Sequence, residues 1–330
     1  MKKSIIGAAL VLGLAAVPAL AEYPEKEIQG IIQWGAGGST DTVSRAVTPH
    51  AEKVLGGKVV LQNVTGGVGA IALNQVVAQD ADGYTLLFGA ENPLLYKVLG
   101  LGTKDYGDFT PINVLARGVP LLVANMDAPF DSYAEMVAYA QENPRTVKIG
   151  STGPGGLPSV ISAMMAAKTP MEMTVIPYDG DGPALTALMG GAIDVMPAVL
   201  GAAIENIKAG KMKPIALFDT EANAALPDLE PLTVSNPEFA DVLPWGPFFG
   251  IFVKDGTPDD VVARIQAAYH EAAQTEDFNA LLENRGYSLM NISGQEAEDF
   301  LSNWQRSTAW LIHDAGLTKV SPADAGIEKP

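Results

Sequence analysis

The chain has 330 residues, 48% of them hydrophobic, and carries 38 acidic against 21 basic side chains, for a formal net charge of −17 at pH 7. This negative balance excludes general binding to nucleic acids, which depends on a basic surface. Because the sequence contains no cysteine, disulfide bonds and cysteine-ligated metal sites are excluded as well.

The first 21 residues have the three parts of a secretory signal peptide. Lys2 and Lys3 form a positive start, residues 5–17 are apolar, and Ala19-Leu20-Ala21 fits an A-x-A cleavage site. The apolar stretch is too short to span a bilayer comfortably, and later apolar runs are shorter and interrupted. We therefore expect cleavage after Ala21 and export from the cytoplasm. The remaining chain is long enough for one large core or two smaller ones.

Residues 28–45 contain the first candidate binding site. Residues 28–34 form an apolar run of strand length, and the glycine-rich segment 35–38 follows, where the chain can turn sharply. Residues 39–41 are good N-caps for a helix that begins behind them. Such a turn leaves free N–H groups at the positive end of the helix dipole, where an anion can bind. A strand-to-helix turn that binds no ligand would show the same pattern of residues.

Two further strand–glycine–helix units follow. Residues 58–64 are predicted as a strand that leads through glycines into a helix over 70–78, and residues 83–88 as a strand that ends in the loop 89–93. This alternation is typical of an α/β fold with a largely parallel sheet. Ligands of such sheets bind outside the carboxyl ends of the strands, where these loops fall.

A second α/β series begins after the third unit. Strands are predicted at residues 120–125, 147–150, 173–177, 193–199, 215–218 and 248–253. Helices are predicted at residues 133–142, 159–167, 184–189, 259–274, 278–283 and 296–315, and residues 219–245 as surface loop. We expect two lobes joined by two crossings, each a mixed sheet flanked by helices. The first comprises residues 22–122 and 247–330, the second residues 123–246, and the ligand cleft lies between them.

Several short motifs are spread in order over residues 23–320. They are Tyr23-Pro24, Ala36-Gly37-Gly38-Ser39-Thr40-Asp41 with Arg45, Gln62-Asn63, Gly66-Gly67-Val68-Gly69, Asp82-Gly83-Tyr84-Thr85-Leu86, Gly150-Ser151-Thr152-Gly153, Val175-Ile176-Pro177-Tyr178 and Gly190-Gly191-Ala192-Ile193-Asp194. In their order and spacing the chain resembles the periplasmic receptors of tripartite tricarboxylate transporters, the Bug or TctC-type solute-binding proteins.

This resemblance implies a type II periplasmic-binding-protein fold (a Venus flytrap), a periplasmic location and a monomer. It further implies capture of a small carboxylate between the lobes and delivery to a membrane permease of a large and a small subunit. The ligand-binding residues that it implies are Trp34, Ala36, Gly37, Gly38, Ser39, Thr40, Asp41, Asn92, Ser151, Thr152, Gly153, Tyr178 and Asp194.

Asp41 and Asp194 fit structural roles better than ligand contact, as a helix cap and as an acceptor for backbone N–H groups, because a carboxylate repels an anion. Trp34 and Pro158 depart from the family pattern, which usually has phenylalanine and histidine at these places. Trp34 either forms one wall of the pocket or packs beneath the loop. Whether the acid is a di- or tricarboxylate or an aromatic carboxylate stays open.

Other functions are weaker interpretations of the same sequence. Gly67-Val68-Gly69-Ala70-Ile71-Ala72 matches a dinucleotide fingerprint, but glycines needed for chain reversal explain it as well. His50, His270 and His313 are isolated, so we expect no metal, no cofactor and no catalytic residues. A sensory protein that binds a carboxylate and reports to a signalling partner stays open, and a periplasmic hydrolase or lyase on the same scaffold is the less favoured alternative.

Overall fold

The computed structural model describes residues 23–330, so the predicted signal peptide and its cleavage site lie outside the described residues. The strands are β1 (Ile28–Ile32), β2 (Val59–Asn63), β3 (Thr85–Ala90), β4 (Phe109–Arg117), β5 (Pro120–Asn125), β6 (Lys148–Ser151), β7 (Thr174–Pro177), β8 (Val195–Val199), β9 (Met212–Leu217), β10 (Phe248–Lys254) and β11 (Ser288–Ile292). The α-helices are α1 (Ser39–Leu55), α2 (Ala70–Val77), α3 (Tyr96–Leu99), α4 (Tyr133–Glu142), α5 (Leu157–Lys168), α6 (Asp181–Met189), α7 (Leu200–Lys208), α8 (Leu232–Ser235), α9 (Asp259–Ala272), α10 (Glu276–Asn284) and α11 (Gly294–Asp314).

The strands form two mixed sheets, each flanked by helices. The first has the order β11-β4-β10-β3-β1-β2 and the second the order β7-β6-β8-β5-β9. This confirms the predicted two-lobed α/β fold. Strand β5 begins at Pro120 and lies wholly in the second sheet, whereas the predicted boundary assigns residues 120–122 to the first lobe.

The first lobe is completed by the C-terminal part of the chain. Strands β1, β2 and β3 pair in parallel, and β10 inserts antiparallel between β3 and β4. Helix α9 packs against α1, and α11 packs against β4. The apolar faces of these strands and helices form the core of the lobe, from Ile28 and Phe88 to Tyr269.

The sequence prediction misses two strands and part of the core. Strand β4 contains Pro111 and Asn113, residue types that argue against an interior strand, and the register of its pairing with β10 shifts near Phe252 to accommodate them. The short edge strand β11 is missed as well. The segment predicted as surface loop, residues 219–245, contains α8 and buries Phe239 and Trp245, so it is a packed connection.

The two crossings between the lobes run side by side. Gly118 follows β4, and its backbone N–H donates to the carbonyl oxygen of Pro247, 2.9 Å away, just before β10. Gly246 allows this approach, because a Cβ atom there would lie 2.2 Å from the carbonyl oxygen of Gly118. The lobes are therefore joined by a narrow pair of chain segments, as in a hinge.

The lobes are closed on each other at both sides of the cleft. A Cβ atom added to Gly182 of the second lobe would lie 2.4 Å from the carbonyl oxygen of Ala36 in the first. On the other side, a Cβ atom at Gly155 would lie 2.6 Å from a methyl group of Leu99. Gly182 lets the backbones of the two lobes touch, and Gly155 lets the Leu99 side chain pack against the second lobe, so that the cleft narrows to a small cavity.

Candidate functional site

The cavity lies between the lobes and next to the crossings, and it is small in this closed form, with a volume of about 30 Å³. The first lobe contributes Trp34, Gly38, Ser39, Thr40, Ala90 and Glu91. The second contributes Thr152, Leu157, Pro158, Gly180, Asp181 and Val199, and Pro247 and Phe249 lie at the crossing. Among these fourteen lining residues there are two carboxyl groups and no lysine, arginine or histidine.

Helix α1 presents its N-terminus to the cavity. Strand β1 ends in a buried run, the chain turns through glycines, and Gly38 is the N-cap, with no side chain capping the helix. The N–H groups of a first helical turn have no partner within the helix, so here they are available to a ligand. Ser39 is only 3% exposed, and its Oγ has no hydrogen-bond partner among the described residues. This end of the cavity therefore suits an anion.

Asp41 braces the glycine loop and does not line the cavity. One carboxylate oxygen accepts a hydrogen bond from the N–H of Gly37 at 3.0 Å. The other accepts from Arg45 Nε at 2.7 Å and from Asn63 Nδ2 at 3.0 Å. Because these donors come from the loop, α1 and β2, Asp41 fixes the loop against the sheet. The first turn of α1 thus contains an acid whose charge is already neutralised.

Two helices of the second lobe also begin at the cavity. Helix α5 has Gly156 as its N-cap, and α6 has Gly180, whose φ of 114° lies in a region that favours glycine. Each of these N-termini has a carboxyl group of the protein beside it that, unlike Asp41 at α1, has no arginine partner in the cavity lining. Glu91 lies at the start of α5, and Asp181 is the first residue of α6.

Glu91 connects the two lobes. It follows β3 in the first lobe, and its Oε1 accepts a hydrogen bond from the N–H of Leu157 in the second, at 3.1 Å. The residue is 4% exposed. Burial, and to a smaller extent the negative charge of Asp181, raises the pKa of its carboxyl to about 8, although backbone hydrogen bonds act against this change. An uncompensated acid thus lies inside the closed cleft.

Asp181 is the second acid of the cavity. Burial raises the pKa of its carboxyl to about 6, against which a hydrogen bond with the backbone of Val199 acts. It differs from Asp41, which follows a similar strand-to-helix turn but is paired with Arg45. Closing the lobes therefore brings together two carboxyl groups from opposite sides.

The cavity contains five of the residues predicted from the sequence and leaves eight outside its lining. Trp34, Gly38, Ser39, Thr40 and Thr152 line it. Ala36, Gly37, Asp41, Asn92, Ser151, Gly153, Tyr178 and Asp194 do not. Trp34 both forms part of the wall and belongs to the core of the first lobe, so the two alternatives for this side chain coincide.

The residues outside the lining serve mainly the frame around the cavity. Asp194 accepts a hydrogen bond from the N–H of Lys148 at 2.7 Å, and Ser151 Oγ accepts one from the N–H of Gly153 at 3.2 Å. Tyr178 is half-buried against the second core. Asn92 is 1% exposed, and neither atom of its side-chain amide has a hydrogen-bond partner among the described residues.

Sequence reasoning missed both acids of the cavity. Glu91 stands in the loop after β3, where the sequence predicts a ligand contact only at the next residue, Asn92. Asp181 stands between Gly180 and Gly182 at the start of α6. The usable signal in both cases was an acid directly at the carboxyl end of a strand or in a glycine turn, with no basic residue close by in the sequence.

No helix within residues 23–330 combines the length and the apolar character that crossing a membrane requires. Among the same residues, no group of three or more histidine and acidic side chains is arranged to hold a metal ion.

Comparison with known proteins places this architecture in a family. The family model described as "Tripartite tricarboxylate transporter family receptor" matches residues 43–317. Protein BugT of Bordetella pertussis (strain Tohama I) is 26% identical over 313 residues, which cover 92% of this chain and 94% of BugT. A UPF0065 protein of Cupriavidus necator, from the gbd 5' region, is 26% identical over 327 residues, which cover 96% of this chain and 97% of that protein.

Solved structures show the same fold. The periplasmic binding protein BugD superposes with a TM-score of 0.84 at 25% identity, covering 90% of this chain and 99% of BugD. MatC from Rhodopseudomonas palustris, solved with bound malate, superposes with a TM-score of 0.78 at 25% identity, covering 87% of this chain and all of MatC (100%).

Proposed function

The chain belongs to the family of tripartite tricarboxylate transporter receptors, which are periplasmic solute-binding proteins, and on this premise we propose that it captures a small carboxylate in the cavity between its lobes. The observation that carries the proposal is the open N-terminus of α1. Its first-turn N–H groups and the unpartnered Ser39 hydroxyl border the cavity and can replace the water around a carboxylate. Bound malate in MatC supports the same ligand chemistry here.

We further propose that capture is binding without chemical change. Ser39 has no base as a hydrogen-bond partner among the described residues, and the residues that line the cavity include no histidine or lysine. A ligand can favour closure only by its preference for the closed form, so the contacts made by both lobes at once supply the driving force. The closed receptor then docks on the large and small subunits of a membrane permease, which takes over the ligand.

The same proposal covers export and domain motion. Cleavage after Ala21 releases a monomeric receptor into the periplasm. The lobes move as units about the paired segments at Gly118 and Pro247, with the boundary before β5, three residues earlier than the sequence suggests. Opening at this hinge separates Ala36 from Gly182 and admits the ligand.

A thermal-shift screen of the protein purified from the periplasm tests the proposal. The protein is unfolded, dialysed and refolded to remove co-purified ligand, then heated with malate, succinate, citrate, glutamate, longer diacids and aromatic diacids. The methyl ester of each acid is the control. A ligand at a hundred times its Kd stabilises the folded state by about 2.7 kcal/mol, so at least one acid should raise the Tm while its ester does not. A flat response to every acid would show the carboxylate proposal to be wrong.

Delivery needs its own experiment. The receptor is added to proteoliposomes that contain both permease subunits, and uptake of a radiolabelled acid identified by the screen is measured. We expect uptake that depends on the receptor and saturates with its concentration. Uptake at the same rate without the receptor would contradict the transport role and favour the sensory alternative.

A further inference from the structure

The charge inside the cavity is unusual for a site that takes an anion. Glu91 and Asp181 face the same enclosed space from opposite lobes, with no basic side chain among the residues that line it. Two carboxyl groups that share a site repel each other and a third anion alike. A second carboxylate on the ligand would therefore bring like charge toward Asp181 and keep Glu91 protonated, with no basic side chain in the lining to balance it.

The helix N-termini at the cavity differ in chemistry, although Asp181 lies close to the N-cap of α1, with its Cβ 3.8 Å from a Cβ atom built on Gly38. At α1 the helix N-terminus is uncapped, and the Ser39 hydroxyl, nearly fully buried, has no partner among the described residues. At α5 and α6 the helix N-termini already have protein carboxyl groups beside them, Glu91 through its hydrogen bond to Leu157 and Asp181 as the first residue. The N-terminus of α1 can hold a carboxylate, and beside it Asp181, with Glu91 across the cleft, offers carboxyl groups that an ammonium can pair with in their ionised form.

We propose that the ligand carries an ammonium group as well as a carboxylate, in the manner of an amino acid, and that Glu91 and Asp181 together receive the ammonium while the N-terminus of α1 and Ser39 hold the carboxylate. This inference rests on the proposed function and narrows its ligand class. The ammonium supplies the positive charge that the cavity lacks, and its N–H donors meet carboxyl oxygens from both lobes. The ligand thereby ties the lobes together.

The groups facing the acids do not supply this charge themselves. Tyr96 and Tyr106 of the first lobe lie near Glu91, and burial raises the pKa of both phenols, so they stay neutral. Tyr287 lies near Asp181 and the Ser39 hydroxyl, and burial raises the pKa of its phenol although Ser39 and Arg285 act against this change. Arg285 donates through Nη1 to the carbonyl oxygen of Gly201 at 3.0 Å. The positive partner must therefore come with the ligand.

Matched ligand pairs test the inference in the native sequence. Binding of aspartate is compared with succinate, glutamate with glutarate, and 4-aminobutanoate with butanoate, using refolded protein and calorimetry, and 1,4-diaminobutane is the amine without a carboxylate. We expect at least one amino compound to bind at least about tenfold more tightly than its partner, since hydrogen bonds to charged groups contribute about 1.5–3 kcal/mol. Binding of the plain acids with equal or higher affinity would overturn the inference while leaving the carboxylate proposal standing.

Substitutions that keep shape and remove charge provide the second test. Glu91→Gln and Asp181→Asn should each weaken binding of the amino compound at least about tenfold. Binding of the plain acid should stay unchanged or become tighter. Asp179→Asn is the matched control, because this exposed acid stands in the same loop but does not line the cavity. If both cavity variants bind the amino compound as the native protein does, the acids are not its site.

Proton exchange distinguishes the two ligand types independently of affinity. At pH 7 most Glu91 carboxyls hold a proton in the empty cavity. An ammonium favours their ionised form, so binding should release close to one proton, measurable as a dependence of the calorimetric heat on the ionisation enthalpy of the buffer. Proton uptake, as expected for a ligand that is only anionic, would overturn the inference. Binding of the diamine alone would support the acid pair as a cation site and refute the carboxylate proposal.

Discussion

The empty protein should open as the pH rises, and Glu91 should be the cause. Its pKa is about 8 in the closed cleft against an ordinary value of 4.5, so the closed form holds a proton that the water-exposed carboxyl of the open form loses. Closure is therefore fully favoured below about pH 4.5 and becomes progressively less favourable up to about pH 8. At 1.36 kcal/mol per pH unit, the loss reaches about 3 kcal/mol at pH 7 and about 5 kcal/mol above pH 8.

Small-angle X-ray scattering across pH 4.5–8.5 measures this directly. The radius of gyration of the ligand-free protein should increase over the range, whereas Glu91→Gln should stay closed, because the amide cannot ionise and still accepts from the N–H of Leu157. Asp179→Asn should follow the native protein. Native and Glu91→Gln proteins with the same profile, or a native protein that closes as the pH rises, would refute the assignment of this carboxyl as an uncompensated buried acid.

Three further substitutions test the cleft and the hinge. Gly182→Ala places a Cβ atom 2.4 Å from the carbonyl oxygen of Ala36, so we expect incomplete closure by scattering and at least about tenfold weaker ligand binding by calorimetry. Ser39→Ala removes a hydroxyl that has no partner among the described residues, so ligand affinity should fall by about 0.5–1.5 kcal/mol while the Tm of the empty protein does not fall. Gly246→Ala places a Cβ atom 2.2 Å from the carbonyl oxygen of Gly118, and we expect a loss of about 1–3 kcal/mol in unfolding free energy by denaturant titration.

Each of these substitutions has a clear contrary outcome. Gly190→Ala, at the other end of α6, meets its nearest atom at 3.5 Å and should behave as the native protein. Native affinity in Gly182→Ala would show that the loops need not touch for capture. A lower Tm in Ser39→Ala would show that the Ser39 hydroxyl stabilises the fold and is not free to bind a ligand. Unchanged stability in Gly246→Ala would show that the crossings can separate freely.

Strands with continuous apolar composition could be predicted from the sequence because local pattern determines them. Strand β1 is such a case, and the glycine turn and helix behind it follow from residue types alone. Strand β4 could not be predicted in this way, since Pro111 and Asn113 break its pattern and its place in the sheet depends on β10, more than 130 positions further along the chain. Tertiary pairing outweighs local propensity there.

The residues of the candidate site also divide into those that local sequence could predict and those that it could not. Thr40 and Thr152 could be placed at the cavity because each follows a strand at its carboxyl end, which is a local feature. The acids could not, because their environment exists only when two distant loops meet. Asp41 and Asp181 look alike in sequence, yet Asp41 pairs with Arg45 one helical turn away, whereas Asp181 faces a second acid, Glu91, across the cleft. Burial and charge balance are properties of the closed pair of lobes.

The position of β10 also sets the order in which the chain can fold during synthesis. All five strands of the second sheet lie between Pro120 and Leu217, so that sheet can form as soon as this stretch has been made. In the first sheet, β3 and β4 stay apart until β10 inserts between them, and each keeps an open edge in the meantime. The lobe that begins the sequence is thus the last to complete its sheet. Until then its unpaired strand edges expose the partly synthesised chain to aggregation.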